Sequence, residues 1–209
     1  MTALAVVRPS GCPPALESGM RLSGREFDWR YEQRDDLRAE LVQGVVYVSS
    51  PVRIDEHAEP NAVAVAWVKN YAVTHRETRA ATNGTARLSE DDRVQPDAML
   101  WKRTGGSATV AEDHYMHGGP ELVVEITASS RAYDLGPKME SYRQAGVREY
   151  VIWMTEEWRI VWYSLDDGLY RELQPGPDGW TESQVFPGLR LHIARLLDGD
   201  DSVILPGAS

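Results

Sequence analysis

Residues 96–101 read PDAMLW and residues 122–126 read LVVEI. Both apolar runs are short, which predicts two strands of a buried sheet. Each run carries one carboxylate, Asp97 in the first and Glu125 in the second. A carboxylate inside a buried strand is costly unless something compensates its charge. Because two neighbouring carboxylates also repel each other, and a divalent cation would relieve that repulsion, the pair predicts a metal site.

The rest of the chain mixes helical and strand patterns, which predicts an α/β (mixed α+β) class. Helical patterns, the first of them opened by a capping box at Ser23 and Glu26, cover residues 23–33, 54–75, 135–145 and 191–197. Strand patterns cover residues 38–42, 45–49, 79–88, 97–101, 121–127, 150–154, 160–164 and 169–173. Gln43-Gly44 predicts a hairpin turn between the first two strands, and residues 103–120 are expected to form a loop.

The length of 209 residues and the hydrophobic share of 42% fit one folded domain. We expect a flexible N-terminal arm over residues 1–22, the domain over residues 23–197 and a C-terminal tail over residues 198–209. No apolar run predicts a membrane span or a signal peptide. Cys12 is the only cysteine, so no intrachain disulfide can form. This favours a reducing compartment, and we expect a cytoplasmic protein.

The formal net charge is −10. This acidity argues against loose, charge-driven binding to nucleic acid, because such binding needs cations that replace the counterions of the phosphates. It does not exclude a nuclease, since catalytic acids are themselves negative and a local basic strip can coexist with an acidic whole.

Several motifs occur in an order and at spacings that resemble a known family. They are RAELVQG (38–44), SP (50–51), His57, Pro96-Asp97, LVVEI (122–126), Asp134 to Lys138, Tyr142 and AGVREY (145–150). Together they closely resemble the Uma-type putative restriction endonuclease family, formerly a domain of unknown function, which belongs to the PD-(D/E)xK nuclease superfamily. The resemblance extends over residues 23–197, most of the chain, and the ordered set is more specific than any single motif.

The resemblance implies a restriction-endonuclease-like fold, with a central mixed sheet flanked by helices and extended by β-hairpins. It implies that Asp97 and Glu125 bind Mg²⁺ or Mn²⁺ and that the main-chain carbonyl of Ile126 adds a ligand. It implies that Glu40 is an upstream acid that joins the metal shell. Lys138 would then assist the water that attacks the phosphodiester, so the implied catalytic set is these three acids and this lysine.

The chain departs from the superfamily pattern at the lysine. That pattern places a lysine two residues after the second acid, where this chain has Thr127. In this family the lysine is expected on the following helix, and Lys138 matches that position. A flexible four-carbon side chain can deliver an ammonium from a different backbone position. A second departure, TASS over residues 127–130 in place of SPST, is expected to loosen the loop without removing a ligand.

Each candidate also has a structural interpretation. Glu125 could face solvent at a strand end, Asp97 could start a turn, and Glu40 could be an exposed cross-strand partner. Lys138 lies four residues after Asp134, the spacing of an ordinary surface pair worth roughly 0.3–0.5 kcal/mol.

Three histidines also have structural interpretations. His57 precedes a helix, and a structural role is favoured for it. His114 and His117 are three residues apart in a polar loop, but no cysteine or further histidine close by would complete a zinc site.

The leading hypothesis is a metal-dependent endonuclease that hydrolyses DNA. The alternative is a catalytically inactive protein of nuclease fold that acts as a binding or assembly module. A weaker third hypothesis is a metal-free hydrolase with an acid pair. Convergence of the three acids and the Lys138 amine around one small cavity would favour catalysis, whereas a Lys138 that faces solvent beside Asp134 would favour the binding module.

A homodimer is a further hypothesis, because an enzyme that cuts both strands of a duplex is suited to two-fold symmetry. The aromatic hairpins between Tyr150 and Tyr170 could form its interface or could complete the core.

Overall fold

A computed structural model describes residues 14–34 and 36–207. Most of the predicted N-terminal arm, with Cys12, and the last two residues of the predicted tail lie outside the described residues. Within the arm, Leu16 is buried in a small core with Phe27. The bounds given above for arm, domain and tail stay a prediction.

The described residues form fourteen strands. In chain order these are β1 (Ala39–Val42), β2 (Val45–Val48), β3 (Thr78–Ala81), β4 (Ala86–Arg87), β5 (Arg93–Val94), β6 (Ala98–Lys102), β7 (Thr109–Val110), β8 (Met116–His117), β9 (Leu122–Thr127), β10 (Glu149–Met154), β11 (Arg159–Asp166), β12 (Leu169–Glu172), β13 (Thr181–Glu182) and β14 (Arg190–Leu191).

The helical segments of the described residues are short apart from one. In chain order they are α1 (Gly24–Tyr31), a first π-helical turn (Ile54–Ala58), α2 (Glu59–Thr74), α3 (Arg131–Tyr133), a second π-helical turn (Asp134–Lys138), α4 (Met139–Gln144), α5 (Ile193–Leu197) and a 3₁₀ turn (Asp201–Ile204). None of them is long and apolar enough to cross a membrane.

Local sequence signals explain the first elements. The hydroxyl of Ser23 accepts a hydrogen bond from the amide of Glu26, which confirms the predicted start of α1. Between β1 and β2 the backbone φ is 52° at Gln43 and 72° at Gly44. Two successive positive φ angles give a type I′ turn, whose twist matches that of the flanking strands, so the predicted hairpin is confirmed.

The central sheet has six strands in the order β12-β11-β10-β9-β6-β3. Strands β9 and β10 are parallel, and the other neighbours are antiparallel. The predicted mixed sheet with added hairpins is therefore confirmed. Helix α2 packs on one face of this sheet, over a core that includes Trp67, Leu100, Val124 and Trp162.

A second sheet, in the order β2-β1-β5-β4-β8-β7, covers part of the other face. A second core lies between the two sheets and includes Val42 and Val94 from the second sheet and Met99 and Val123 from the central sheet. The predicted loop over residues 103–120 was wrong in part, because it contributes β7 and β8, each of only two residues. Strands that short carry too little alternation to be recognised in a sequence.

The chain passes from the second sheet to the central sheet at Gln95 and Pro96, between β5 and β6. The amide of Gln95 donates to Oε1 of Glu40 at 2.6 Å, so β1 is fastened to this crossing point. In the aromatic hairpins Tyr150 and Trp162 are fully buried in the core, whereas most of β12 is exposed. The crossing point thus places Glu40, from the second sheet, beside the strand ends of the central sheet.

Candidate active site

Asp97 and Glu125 lie opposite each other on neighbouring strands. Because Ala98 pairs with Val124 in antiparallel register, Asp97, one residue earlier, is placed across from Glu125. Directly opposite residues project from the same face of a sheet. The two residues are 7% and 3% exposed, so the alternative in which Glu125 faces solvent is wrong.

Two groups hold the carboxylate of Asp97. The main-chain amide of Ile126 donates to its Oδ2 at 2.8 Å, and Nε2 of His57 lies 3.3 Å from the same oxygen. The contact of Ile126 with Asp97 is thus made by its amide. The ligand role of the Ile126 carbonyl stays a prediction.

Lys138 joins three of the acids. Its Nζ lies 2.9 Å from Oε1 of Glu125, 3.0 Å from Oε1 of Glu40 and 3.9 Å from Oδ1 of Asp134. Its side chain is 5% exposed. The interpretation of Lys138 as a surface partner of Asp134 is therefore wrong, because that contact is the longest of the three and the ammonium is buried.

The backbone around Lys138 explains how the lysine reaches the acids. The helix was predicted to begin at residue 135, but helical structure starts at Arg131 and is interrupted at Gly136, where φ is −105° and ψ is −110°. Pro137 follows this kink and cannot donate a main-chain hydrogen bond. Lys138 then lies directly before α4 and is turned into the space between the two sheets.

Glu40 has both carboxylate oxygens engaged. Its Oε1 receives the amide of Gln95 and the ammonium of Lys138, and its Oε2 accepts from the hydroxyl of Tyr133 at 2.9 Å. Glu40 is 8% exposed, so the interpretation as an exposed cross-strand partner is wrong.

Two tyrosines complete the cluster, and the sequence predicted a polar role for neither of them. The hydroxyl of Tyr142 donates to Oε1 of Glu125 at 2.5 Å. The ring of Tyr133, whose hydroxyl contacts Glu40, lies 5.6 Å from Nζ of Lys138. Tyr142 follows Lys138 by four residues, a spacing that places two side chains on one face of a helix and was the available signal.

The loop after Glu125 has a polar chain of its own. Oγ1 of Thr127 lies 3.0 Å from Oγ of Ser130, whose hydroxyl donates to Oδ2 of Asp134 at 2.6 Å. Thr127, at the position where the superfamily pattern has a lysine, thus helps to hold Asp134 beside the ammonium. Burial raises the pKa of Asp134.

His57 lies in the first π-helical turn, at the N-terminal end of α2. Its Nε2 faces Asp97, while its buried Nδ1 has no hydrogen-bond partner among the described residues. The hydrogen bond with Asp97 raises the pKa of His57, although burial opposes this shift. The histidine therefore belongs to the cluster, which the sequence did not predict.

The cluster is strongly acidic, because the carboxylates of Glu40, Glu125 and Asp134 lie around the single ammonium of Lys138 and Asp97 lies opposite Glu125. Burial raises the pKa of Glu125 well above its ordinary value; Lys138 opposes this shift, and Asp97 and Glu40 add to it. Burial lowers the pKa of Lys138, but the attraction of Glu125 and Glu40 outweighs burial and raises it well above its ordinary value. The ammonium therefore stays charged, while Glu125 takes up a proton more readily than a free glutamate.

Glu125→Gln is expected to reduce the dependence of stability on pH in metal-free protein. The folded state binds the proton of Glu125 more tightly than the unfolded state, because its pKa is raised by folding. This group therefore favours the folded state at low pH, and its contribution is lost as the pH rises from the unfolded value of about 4.3 through the folded pKa. Urea unfolding in EDTA at pH 5 and pH 8 should show a larger loss for wild type than for the variant. Equal losses would contradict the assignment.

The donor set suits a hard divalent cation. Asp97 and Glu125 offer carboxylate oxygens from facing positions, and Mg²⁺ usually takes one or two carboxylates and keeps several waters. Among the described residues, no group of three or more histidine, cysteine, aspartate or glutamate side chains is arranged to hold a metal ion. Glu40 is instead occupied by Gln95, Tyr133 and Lys138. The facing pair is thus the part of the predicted ligand set that the geometry favours.

The loop histidines lie elsewhere. Nε2 of His117 lies 2.9 Å from Oδ2 of Asp113, and His114 occupies a turn with φ at 65°. In the part of the chain that is described, these side chains do not form a three-ligand zinc site.

Comparison with known proteins agrees with this architecture. The sequence profile of the Uma2 family, described as "Putative restriction endonuclease", matches residues 25–194. The crystal structure of a putative nuclease belonging to DUF820 from Anabaena variabilis is similar, with a TM-score of 0.65 and 14% sequence identity over 85% of this chain and 98% of that chain. At this identity the likeness establishes the fold alone. No curated protein matches the chain.

Proposed function

Because the chain belongs to the Uma2 family of putative restriction endonucleases, we propose that it is a metal-dependent endonuclease that hydrolyses phosphodiester bonds of DNA. The observation that carries the proposal is the convergence on Lys138. Its ammonium lies within 3.0 Å of two acids from different sheets, Glu40 and Glu125, and Asp97 faces Glu125 across the strand pair.

Asp97 and Glu125 would hold Mg²⁺ or Mn²⁺, with the carbonyl of Ile126 as a further ligand and Glu40 at the edge of the shell. A bound Mg²⁺ would lower the pKa of a water and stabilise negative charge on the phosphate. The amide of Ile126 fixes the orientation of Asp97, and the hydroxyl of Tyr142 fixes that of Glu125. Held in this way, the two carboxylates would meet a cation in fixed orientations.

Lys138 would orient the attacking water and stabilise the charge that develops on the phosphate. Its ammonium is already desolvated and charged, so its electrostatic effect is larger than in bulk water. Glu40 and Tyr133 limit the movement of the ammonium from the side of the second sheet.

The endonuclease proposal is tested on DNA circles, which have no ends for an exonuclease. Wild type with Mn²⁺ or Mg²⁺ should linearise circular single-stranded or supercoiled plasmid DNA, and EDTA should stop the reaction. Glu125→Gln, purified in the same way, is the control for contaminating nucleases. Equal cleavage by this variant, or cleavage that resists EDTA, would reject the proposed site; the second result would favour the metal-free hydrolase. Cleavage of RNA alone would correct the substrate.

One observation favours a second candidate, a nuclease-fold protein that binds without cutting. Lys138 already compensates Glu40 and Glu125, so the cluster can stabilise the fold without a cation. Calorimetry with Mn²⁺ separates the two candidates. Absence of binding to wild type would favour the binding module.

Cleavage of both strands of a duplex would be served by two copies of the chain, so we include a homodimer in the proposal. A cytoplasmic location of the protein is also part of the proposal. Sedimentation equilibrium of the protein alone and with a DNA duplex measures the oligomeric state, and a monomer under both conditions would remove the dimer from the proposal.

A further inference from the structure

Trp158 is 73% exposed. No other phenylalanine, tyrosine or tryptophan in the described part of the chain is exposed. It ends the tight turn between β10 and β11, where its amide donates to the carbonyl of Thr155. Its φ is 49°, in the left-handed region. That conformation suits glycine or asparagine and is unfavourable for a bulky residue, so neither burial nor turn geometry accounts for a tryptophan here.

The turn that carries Trp158 adjoins the candidate active site. Strand β10 runs parallel to β9 with Ile152 beside Glu125, so the turn follows the same strand ends. The hydroxyl of Thr155 donates to the carbonyl of Glu56, the residue before His57, at 2.8 Å. At about 3.3 Å per strand residue, the turn begins roughly 10 Å beyond the level of Glu125.

A second contact ties the turn to the opposite side of the site. Nε of Arg131 lies 3.0 Å from Oε1 of Glu157, and Arg131 opens the helical segment that leads to Asp134 and Lys138. The turn is therefore held between the segment of His57 and the segment of Lys138, at the edge of the acidic cluster.

More apolar surface precedes His57. Val52 is 55% exposed and Ile54 is 68% exposed, in the segment that leads into the first π-helical turn. We call Val52, Ile54 and Trp158 the apolar rim. These three exposed apolar side chains lie on two segments that the hydrogen bond between Thr155 and Glu56 joins, so they offer apolar surface beside the site.

The charges around the rim are balanced. Arg53 is paired with Glu56 at 2.9 Å and Arg131 with Glu157, within a chain of net charge −10. Tracking the backbone of a duplex requires many unpaired cations, which this surface does not offer. An exposed aromatic ring can stack on any nucleobase, because every base has a π-face.

We propose that Trp158 is a stacking platform for an unpaired nucleobase, and that the preferred substrate of this site is single-stranded nucleic acid. The proposal rests on the proposed nuclease function, because it places the stacked base beside the phosphate to be cut. A base on Trp158 would lie within a few nucleotides of the phosphate at Glu125. Val52 and Ile54 would contact neighbouring bases.

Binding, measured separately from cleavage, tests this proposal. The probe is a fluorescein-labelled twelve-nucleotide oligothymidylate, titrated with full-length protein in EDTA and again with Ca²⁺, and followed by fluorescence anisotropy. Trp158→Ala should weaken binding about 5- to 100-fold, the effect of losing one stacking ring, and Trp158→Phe should keep most of the affinity. Leu169→Ala, in the β11–β12 hairpin and 60% exposed, is the matched control and should bind as wild type does.

An oligomer with abasic sites identifies the stacked group. Wild type should bind it as weakly as Trp158→Ala binds the normal probe, and the variant should not distinguish the two. The affinity of wild type should fall only slightly with salt, since few phosphates are contacted; for single strands the slope of log K against log salt is about −0.7 per contact.

The outcomes separate this inference from the nuclease proposal. Failure of wild type to bind the probe, equal binding by Trp158→Ala, or equal losses in the Ala and Phe variants would each overturn the stacking role. A change in sedimentation of Trp158→Ala with unchanged probe binding would assign the rim to a protein contact and would also overturn it. Probe binding that depends on Trp158, together with no cleavage of any DNA circle, would leave the platform standing and remove the nuclease.

Discussion

Lys138→Met is expected to abolish DNA cleavage and to lower the free energy of unfolding of metal-free protein by about 3–5 kcal/mol. The methionine side chain fills similar space but leaves Glu40 and Glu125 buried without their cation. Removing one partner of a buried ion pair is costly because the remaining charge stays desolvated. Cleavage assays with Mn²⁺ and urea unfolding in EDTA measure the two effects.

Mn²⁺ affinity of Lys138→Met should stay near that of wild type, because the facing pair Asp97 and Glu125 is unchanged. Saturating Mn²⁺ should therefore stabilise wild type and variant by the same amount, since a ligand that binds only the folded state stabilises it according to its affinity. Lys69→Met, on the exposed side of α2, is the matched control and should leave stability and cleavage unchanged. Full activity of the Lys138 variant would remove the lysine from the mechanism.

Asp97→Asn is expected to abolish cleavage and to weaken Mn²⁺ binding by more than the roughly 10- to 100-fold that loss of an outer partner costs. The amide side chain can still accept the hydrogen bond of Ile126, but it lacks the negative charge that a hard cation requires. Isothermal calorimetry with Mn²⁺ measures the affinity, and circular DNA measures the activity.

Asp166→Asn, in an exposed pair with Arg171, is the control for this substitution and should bind Mn²⁺ as wild type does. The double variant Asp97→Asn with Glu125→Gln should show no binding. Unchanged Mn²⁺ affinity in the double variant would place any metal elsewhere and would end the proposal for this site.

The acids of the central sheet could be predicted because their signal is local. Asp97 and Glu125 each interrupt an apolar run. Such a run predicts a buried strand, and only a few neighbouring residues are needed to recognise it. The antiparallel register that sets them opposite each other is a property of two strands together. The resemblance to a nuclease family supplied that pairing as an expectation, and the register agrees with it.

Other members of the site gave weaker signals. His57 lies forty residues before Asp97, and its position before a helix favoured a structural role, whereas the fold sets its ring against that carboxylate. Tyr142 followed the apolar pattern of the predicted helix, and Tyr133 lies before that helix. A tyrosine hydroxyl finds its partner only when the segment that carries it has docked. The sequence did not predict β7 and β8 in the loop between β6 and β9, because two-residue strands form only by pairing with neighbouring strands.

The amino-acid sequence alone determined the class of the fold, the strands that carry the acids and the family, because periodicity and motif order are written along the chain. Tertiary structure decided which charges meet. The kink at Gly136 turns Lys138 inward, and the crossing at Gln95 brings Glu40 from the second sheet to the same ammonium. Distances between residues nearly one hundred positions apart follow from sheet pairing and helix packing, which no local pattern encodes.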